Sequence, residues 1–304
     1  MDYSKLVTEN RNAESMDLDR MSSLEAARLM NRIDAEVPAA VEKTLPAVAA
    51  VVDKIVEAYG CGGRLVYCGA GTSGRLGVLD ASECYPTFGA GPDMVTAVIA
   101  GGLKALHTAV EGAEDDAEQG AADLKQIGFC EKDVLVAVSA SGSAAYCAGA
   151  LTYARGLGAF TAGVCCVPLP AFAPLCDVVI RAVVGPEILT GSTRLKAGTA
   201  TKMVLNMLTT ISMVQYGKVY KNLMVDMIPS NKKLEDRAAR ILMMAAGASR
   251  ERAAETLKKC GNEMKPAIVC LKTGAEPDAA RKALSEASGF VGKAIRLIRR
   301  EGES

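Results

Sequence analysis

Five short apolar runs, each followed by a helix-like stretch, constrain this chain more than any other feature. They are Leu65–Cys68, Val95–Ala100, Val134–Val138, Thr161–Val167 and Val178–Val184, mostly bordered by Gly, Ser or Asp. Runs of this kind read as strands buried on both faces. Their alternation with helices predicts an α/β fold with a doubly wound, parallel, five-stranded sheet and helices on both sides. In such sheets ligands bind beyond the carboxyl ends of the strands. The loops after the strands are therefore where chemistry is sought.

Two helices precede the sheet. Ser22 to Glu25 reads as a capping box opening a helix with Leu24, Ala27, Leu29 and Met30. A second helix is predicted from Pro38 to Tyr59, with Val41, Leu45, Val48, Val52, Ile55 and Tyr59 at helical spacing. From about Leu234 the pattern is helical to the end; Ala280, Leu284, Ala287, Val291, Ala294 and Ile298 step by four and three. The expected organisation is residues 1–235 as an α/β domain, with N-terminal helices in 1–60, and residues 236–304 as a small helical domain.

Composition narrows the function. Half of the 304 residues are apolar, enough for a sizeable core. Lys+Arg and Asp+Glu number 35 each, which argues against a nucleic-acid or anionic-membrane surface. The polar start, Met1 to Lys5, has no apolar signal region. The charge-free stretch between Lys202 and Lys218 is short for a bilayer and reads as a buried helix. Ten cysteines without a C-x-x-C pair, mostly in apolar runs, read as reduced core thiols of a cytoplasmic protein. A single histidine, His107, leaves little room for a His-rich metal site or a Ser-His-Asp triad. No metal and no cofactor are expected.

The first run ends in Gly69-Ala70-Gly71-Thr72-Ser73-Gly74. This is formally G-x-G-x-x-G, but the second run ends in Gly101-Gly102 rather than the acid a dinucleotide ribose requires. Hydroxyls and free N–H groups at a helix start suit a phosphate better. Gly71, Thr72 and Ser73 are the candidates here. Ser139 to Ser143 is a second loop of the same chemistry, offering Ser141 and Gly142. Thr190 to Lys196 is a third, offering Ser192 and Lys196. Three such loops on one sheet edge suit a phosphorylated polyol; ordinary helix N-caps are the plainer explanation for any one of them. Glu187 belongs to the third loop region, either near sugar hydroxyls or as a surface acid. Carboxylates also gather at this edge: Glu83 among small and apolar residues, and Glu111, Glu114, Asp115 and Asp116 after the second run.

The segments GAGTSGRLGVLDASECYPTF (69–88), AVEGAEDD (109–116), TGSTRLKAGTATKMVLN (190–206) and NLMVD (222–226) closely resemble the signatures of the N-acetylmuramic acid 6-phosphate etherases. Thr8-Glu9 with Asn12, and Asp19-Arg20, fit as well. The resemblance spans essentially the whole chain. It implies a sugar isomerase (SIS) fold, a homodimer, and cleavage of the D-lactyl ether of a phosphorylated amino sugar, giving N-acetylglucosamine 6-phosphate and D-lactate in cell-wall recycling. It places the family's two catalytic glutamates on Glu83 and Glu114. The expected roles are Glu83 as the acid at the departing lactate and Glu114 as the base at C2. On chemistry alone Glu111 competes with Glu114.

Two departures stand out. Tyr85 replaces the first of two prolines usual after the Glu-Cys pair. The loop Ser141-Gly142-Ser143-Ala144-Ala145 lacks the Arg, Thr and Pro of the usual S-G-R-T-P, which removes a positive charge and a hydroxyl; Arg194 is a candidate to compensate. Two other readings remain open: a sugar-phosphate sensor without turnover, like the related glucokinase regulatory protein, and an aldose–ketose isomerase of the same fold.

Overall fold

The computed structural model describes residues 7–227 and 232–301. Met1 to Lys5 lie outside the described residues. The chain packs as two compact units, one of Met1–Ser82 with Pro92–Thr210 and the other of Glu83–Gly91 with Ile211–Ser304.

The first unit opens with short 3-10 turns and then α1 (Ser23–Asp34), α2 (Val37–Glu42) and α3 (Leu45–Gly60). The capping box is present: the Glu25 backbone N–H donates to Ser22 Oγ at 3.4 Å and the Ser22 N–H donates to Glu25 Oε2 at 2.8 Å. The face that α1 buries differs from the expectation. Leu29 and Ile33 are buried, whereas Leu24 is 59% exposed. The single helix predicted over Pro38–Tyr59 is two. Pro46 has no N–H to bond back to Glu42, and Thr44 closes α2 by donating from both its N–H and its hydroxyl to the Val41 carbonyl, at 2.8 and 2.7 Å.

The sheet follows: β1 (Leu65–Gly69), β2 (Val95–Ile99), β3 (Val134–Val138), β4 (Phe160–Cys165) and β5 (Val178–Arg181). Its order is β2-β1-β3-β4-β5, with every pairing parallel. The crossovers are α4 (Gly71–Phe88), α5 (Ala117–Gln126) and α6 (Ala145–Gly156), and α7 (Lys196–Gln215) follows β5. β1 and β3 are fully buried, as their unbroken apolar runs require. β5 lies at the edge and is shorter than its apolar run; Pro186, lacking a donor, follows close behind. The chain leaves β1 toward β2 on one side and returns to β3 on the other. The switch point, where a crevice opens in sheets of this class, is thus between β1 and β3.

A buried polar cluster ties α4 and α7 to the sheet. Asp80 on α4 accepts from the Tyr67 hydroxyl of β1 at 3.0 Å and from Asn206 Nδ2 of α7 at 2.5 Å. Burial raises the Asp80 pKa, and these donors work against that rise.

The second unit contains a two-stranded hairpin, β6 (Val219–Tyr220) and β7 (Leu223–Met224), and then α8 (Lys232–Ala246), α9 (Arg250–Lys259), α10 (Met264–Thr273), α11 (Pro277–Glu286) and α12 (Val291–Glu301). Ala280, Leu284, Ala287, Val291 and Ala294 share one buried cluster, as their spacing predicts. The helix breaks between them, where Ser288 and Gly289 take positive φ.

Candidate functional site

A cavity of about 460 Å³ opens at the switch point. That volume suits a small ligand. Its first wall is the turn after β1, with Gly71, Thr72 and Ser73. This turn is tight because two glycines meet. A Cβ on Gly74 would stand 2.5 Å from the Gly69 carbonyl oxygen and 2.6 Å from Ile99 Cγ1. Gly71 itself turns at φ +53°. The N–H groups of the first turn of α4 have no partner within the helix and carry its positive dipole end.

The second wall is the loop after β3, with Ser139, Ser141 and Ser143. Ser141 Oγ lies 2.7 Å from Ser143 Oγ and 3.4 Å from Ser139 Oγ. The Gly142 N–H donates to Ser139, to its carbonyl at 3.0 Å and its hydroxyl at 3.1 Å. Ala144, at the N-cap of α6, offers no side-chain cap. The start of α6 is therefore a second set of donors without a capping oxygen.

Carboxylates supply the remaining chemistry. Glu114 and Asp115, in a 3-10 turn after β2, line the cavity, and so does Glu9. Much of Glu114 is open to solvent, yet crowding by protein atoms raises its pKa, and neighbouring Asp115 adds to the rise. Among the described residues no Lys or Arg lines the cavity. An anion bound here would rest on backbone N–H groups, helix starts and hydroxyls.

Of the residues singled out by sequence, the cavity gathers Gly71, Thr72, Ser73, Ser141 and Glu114. Gly142 stands in the same loop, its N–H already bonded within it. The third loop contributes Gly191 and Thr193 to the lining, not Ser192. Lys196 is 2% exposed, and its Nζ lies 3.6 Å from Glu36. Glu187 is neither a surface acid nor a lining residue. It is 1% exposed, and its two oxygens accept the N–H groups of Lys196 and Ala197, both at 2.9 Å. It caps α7, and a buried carboxylate at a helix N-terminus is well placed electrostatically. Glu83 is exposed, further along α4, and does not line the cavity. Glu111 is exposed and also outside the lining, which favours Glu114 over it. Arg194 is exposed and outside the lining. Sequence reasoning gave Glu9 no role; its signal was the Thr8-Glu9 pair.

A larger cavity, about 780 Å³, lies in the helical unit. Its charges are paired with one another: Lys265 with Asp226, and Arg281 with Glu263 at 2.9 Å. It has neither a hydroxyl loop nor a strand end, so the chemistry points to the smaller cavity.

Residues 47–155 match the glucokinase regulatory protein N-terminal SIS domain family. An N-acetylmuramic acid 6-phosphate etherase of Brucella anthropi is 53% identical, over 97% of this chain and 96% of that protein. The N-acetylmuramic acid 6-phosphate etherase 2 of Vibrio cholerae is also 53% identical, over 96% of this chain and 95% of that protein. Among solved structures, a phosphoheptose isomerase from Francisella tularensis has a TM-score of 0.49 and 20% identity, covering 64% of this chain and 100% of that one.

Proposed function

The chain belongs to the N-acetylmuramic acid 6-phosphate etherases, and from that membership we propose that it cleaves the D-lactyl ether of N-acetylmuramic acid 6-phosphate to give N-acetylglucosamine 6-phosphate and D-lactate. The observation that carries the reading is a cavity at the switch point with helix starts and serine hydroxyls on one side and Glu114 at the same opening. The substrate phosphate takes the donors at the starts of α4 and α6. Thr72, Ser73 and Ser141 add hydroxyls.

In the open-chain sugar the C2 proton is α to the C1 aldehyde. Glu114, as carboxylate, takes that proton, and the enolate that forms expels the lactyl oxygen from C3. Glu83, as acid, hands a proton to the departing lactate. Water then adds across the new double bond, hydroxide at C3 and a proton at C2, so no net oxidation occurs. A raised pKa strengthens Glu114 as a base.

A homodimer is part of this reading. Glu83 lies outside the one-chain cavity, and supply of this acid from a second copy fits its exposure. Exposed apolar side chains of the second unit (Tyr85, Ile211 and Val214) offer surface for such a partner. Service in cell-wall amino-sugar recycling, in the cytoplasm, follows from the substrate. Among the described residues no helix is long and apolar enough to cross a membrane.

The test is release of D-lactate from N-acetylmuramic acid 6-phosphate. Glu114→Gln should lower it by about 10²–10⁴-fold with a thermal midpoint no lower than that of wild type. Glu83→Gln should fall similarly. Equal mixing of the two inactive variants, with subunit exchange, should restore roughly a quarter of wild-type activity if each site draws one glutamate from each copy. Phosphosugar binding without lactate would mark a sensor, and a ketose product an isomerase.

A further inference from the structure

Glu9 takes no part in the elimination, yet it lines the same cavity as Glu114. Long-range bonds fix the segment that carries it. Asn12 Nδ2 donates to the Pro186 carbonyl at 3.4 Å, and Ser15 Oγ donates to the Ile188 carbonyl at 2.7 Å. The N-terminal turns are thereby laid along the segment between β5 and α7. Buried Thr8 donates to Glu9 Oε1 at 3.4 Å, a long bond.

The other oxygen looks toward Gly191. A Cβ on Gly191 would come within 3.3 Å of Glu9 Oε2, and Gly191 holds φ +77°, so any side chain here would be both strained and crowded. The glycine keeps this approach open. Among the described residues no donor meets Oε2.

A carboxylate beside an anion-binding cavity weakens anion binding unless it does something else. Ionised, it only accepts hydrogen bonds. A phosphorylated amino sugar brings donors of the matching kind, its hydroxyl groups. We propose that Glu9 is a specificity-determining residue of this site: it accepts hydrogen bonds from the sugar hydroxyls and holds the carbon chain in place while the phosphate sits at the starts of α4 and α6. This rests on the phosphosugar reading of the cavity given above. Glu9 thereby separates a sugar phosphate from phosphate alone.

Calorimetry with two probes, N-acetylglucosamine 6-phosphate and inorganic phosphate, tests this on the full chain, alongside the lactate assay. Glu9→Ala should weaken binding of the sugar phosphate by about tenfold to a hundredfold, the range expected for hydrogen bonds to a charged group. Inorganic phosphate should bind Glu9→Ala as well as, or slightly better than, wild type. In turnover the loss should appear mainly in KM. Glu9→Gln, which keeps one acceptor oxygen, should fall between. Sugar-phosphate affinity within twofold of wild type in Glu9→Ala overturns the proposal. So does equal weakening of both probes, which would mean that Glu9 only shapes the wall. If wild type binds the sugar phosphate but releases no lactate, the etherase reading fails while the two probes still decide the role of Glu9. If wild type does not bind the sugar phosphate, both fall.

Discussion

The loops after β1 and β3 line the same cavity as the turns carrying Glu9 and Glu114, but different forces hold them. The β1 loop is fixed by backbone against backbone, with Gly74 packed onto the Gly69 carbonyl and Ile99. The β3 loop continues a fully buried strand and is knitted by its own serines. Among the described residues no strand runs directly into Glu9, and Glu114 follows β2 only after an intervening turn; both sit in 3-10 turns, Glu9's segment being held by two side-chain bonds from Asn12 and Ser15. On the proposed reading, the phosphate donors stand on loops packed backbone to backbone or bonded within themselves, and the acids stand on short 3-10 turns. The comparison predicts that substitutions in the loops cost stability first, and substitutions among the acids change binding or pH response first.

Gly74→Ala attacks this contrast hardest. The new methyl has nowhere to go without shifting β1 or Ile99, so the cost should be about 3 kcal/mol, lowering the thermal midpoint by roughly 5–10 °C. Gly71→Ala is the control. Its Cβ would meet open space, so only the φ of +53° is penalised, at about 1 kcal/mol. If the two variants unfold at the same temperature, packing does not hold the β1 loop. Ser141→Ala is milder. It removes the partner of Ser139, of Ser143 Oγ and of the Ser143 N–H, yet solvent can replace part of what is lost at a half-exposed loop. The expected stability cost is about 1 kcal/mol. Inhibition by inorganic phosphate should weaken by about fivefold to tenfold, since a hydroxyl donor is gone while the helix starts remain. Unchanged phosphate inhibition would separate the β3 loop from the anion site.

Much of this was legible in the chain. The runs at Leu65, Val95, Val134, Thr161 and Val178 gave the strands: burial on both faces leaves an unbroken apolar signature in β1 and β3, and the edge strands β2 and β5 keep an apolar run though they are less buried. The hydroxyl loops could be placed by the rule for strand ends, and Gly71, Thr72, Ser73, Ser141 and Glu114 do meet in one cavity. What could not be read was which polar groups are consumed internally. Glu187 and Lys196 carry the residue types of a binding site, but one caps α7 and the other pairs with Glu36, a residue in the turn between α1 and α2. Spacing along the chain does not reveal such distant partners. Glu9 went unassigned for the same reason: its meeting with Gly191 joins positions far apart in sequence and depends on bonds from Asn12 and Ser15. The break between α2 and α3 was written in Pro46, whose missing N–H outweighed the helical spacing around it.

The finest test of the comparison concerns Asp115. Burial is the larger cause of the raised Glu114 pKa, and the Asp115 charge the smaller. As the proposed base, Glu114 must be ionised, so the acidic limb of kcat/KM should lie above 4.5, the ordinary value for a glutamate. Asp115→Asn removes the smaller cause. The limb should move to lower pH without returning fully to the ordinary value, because burial persists. The stability effect has a definite sign. A carboxyl whose folded pKa is raised favours the fold below its unfolded pKa, and that contribution is lost as pH rises through the folded pKa. Above its folded pKa Glu114 carries the repulsion from Asp115, so Asp115→Asn should unfold there at a slightly higher temperature than wild type, with the gain vanishing as pH falls through that pKa. A limb that stays in place would mean that the neighbouring charge does not reach Glu114, and a limb that moves to higher pH would mean that Asp115 orients donors onto Glu114 instead of repelling it.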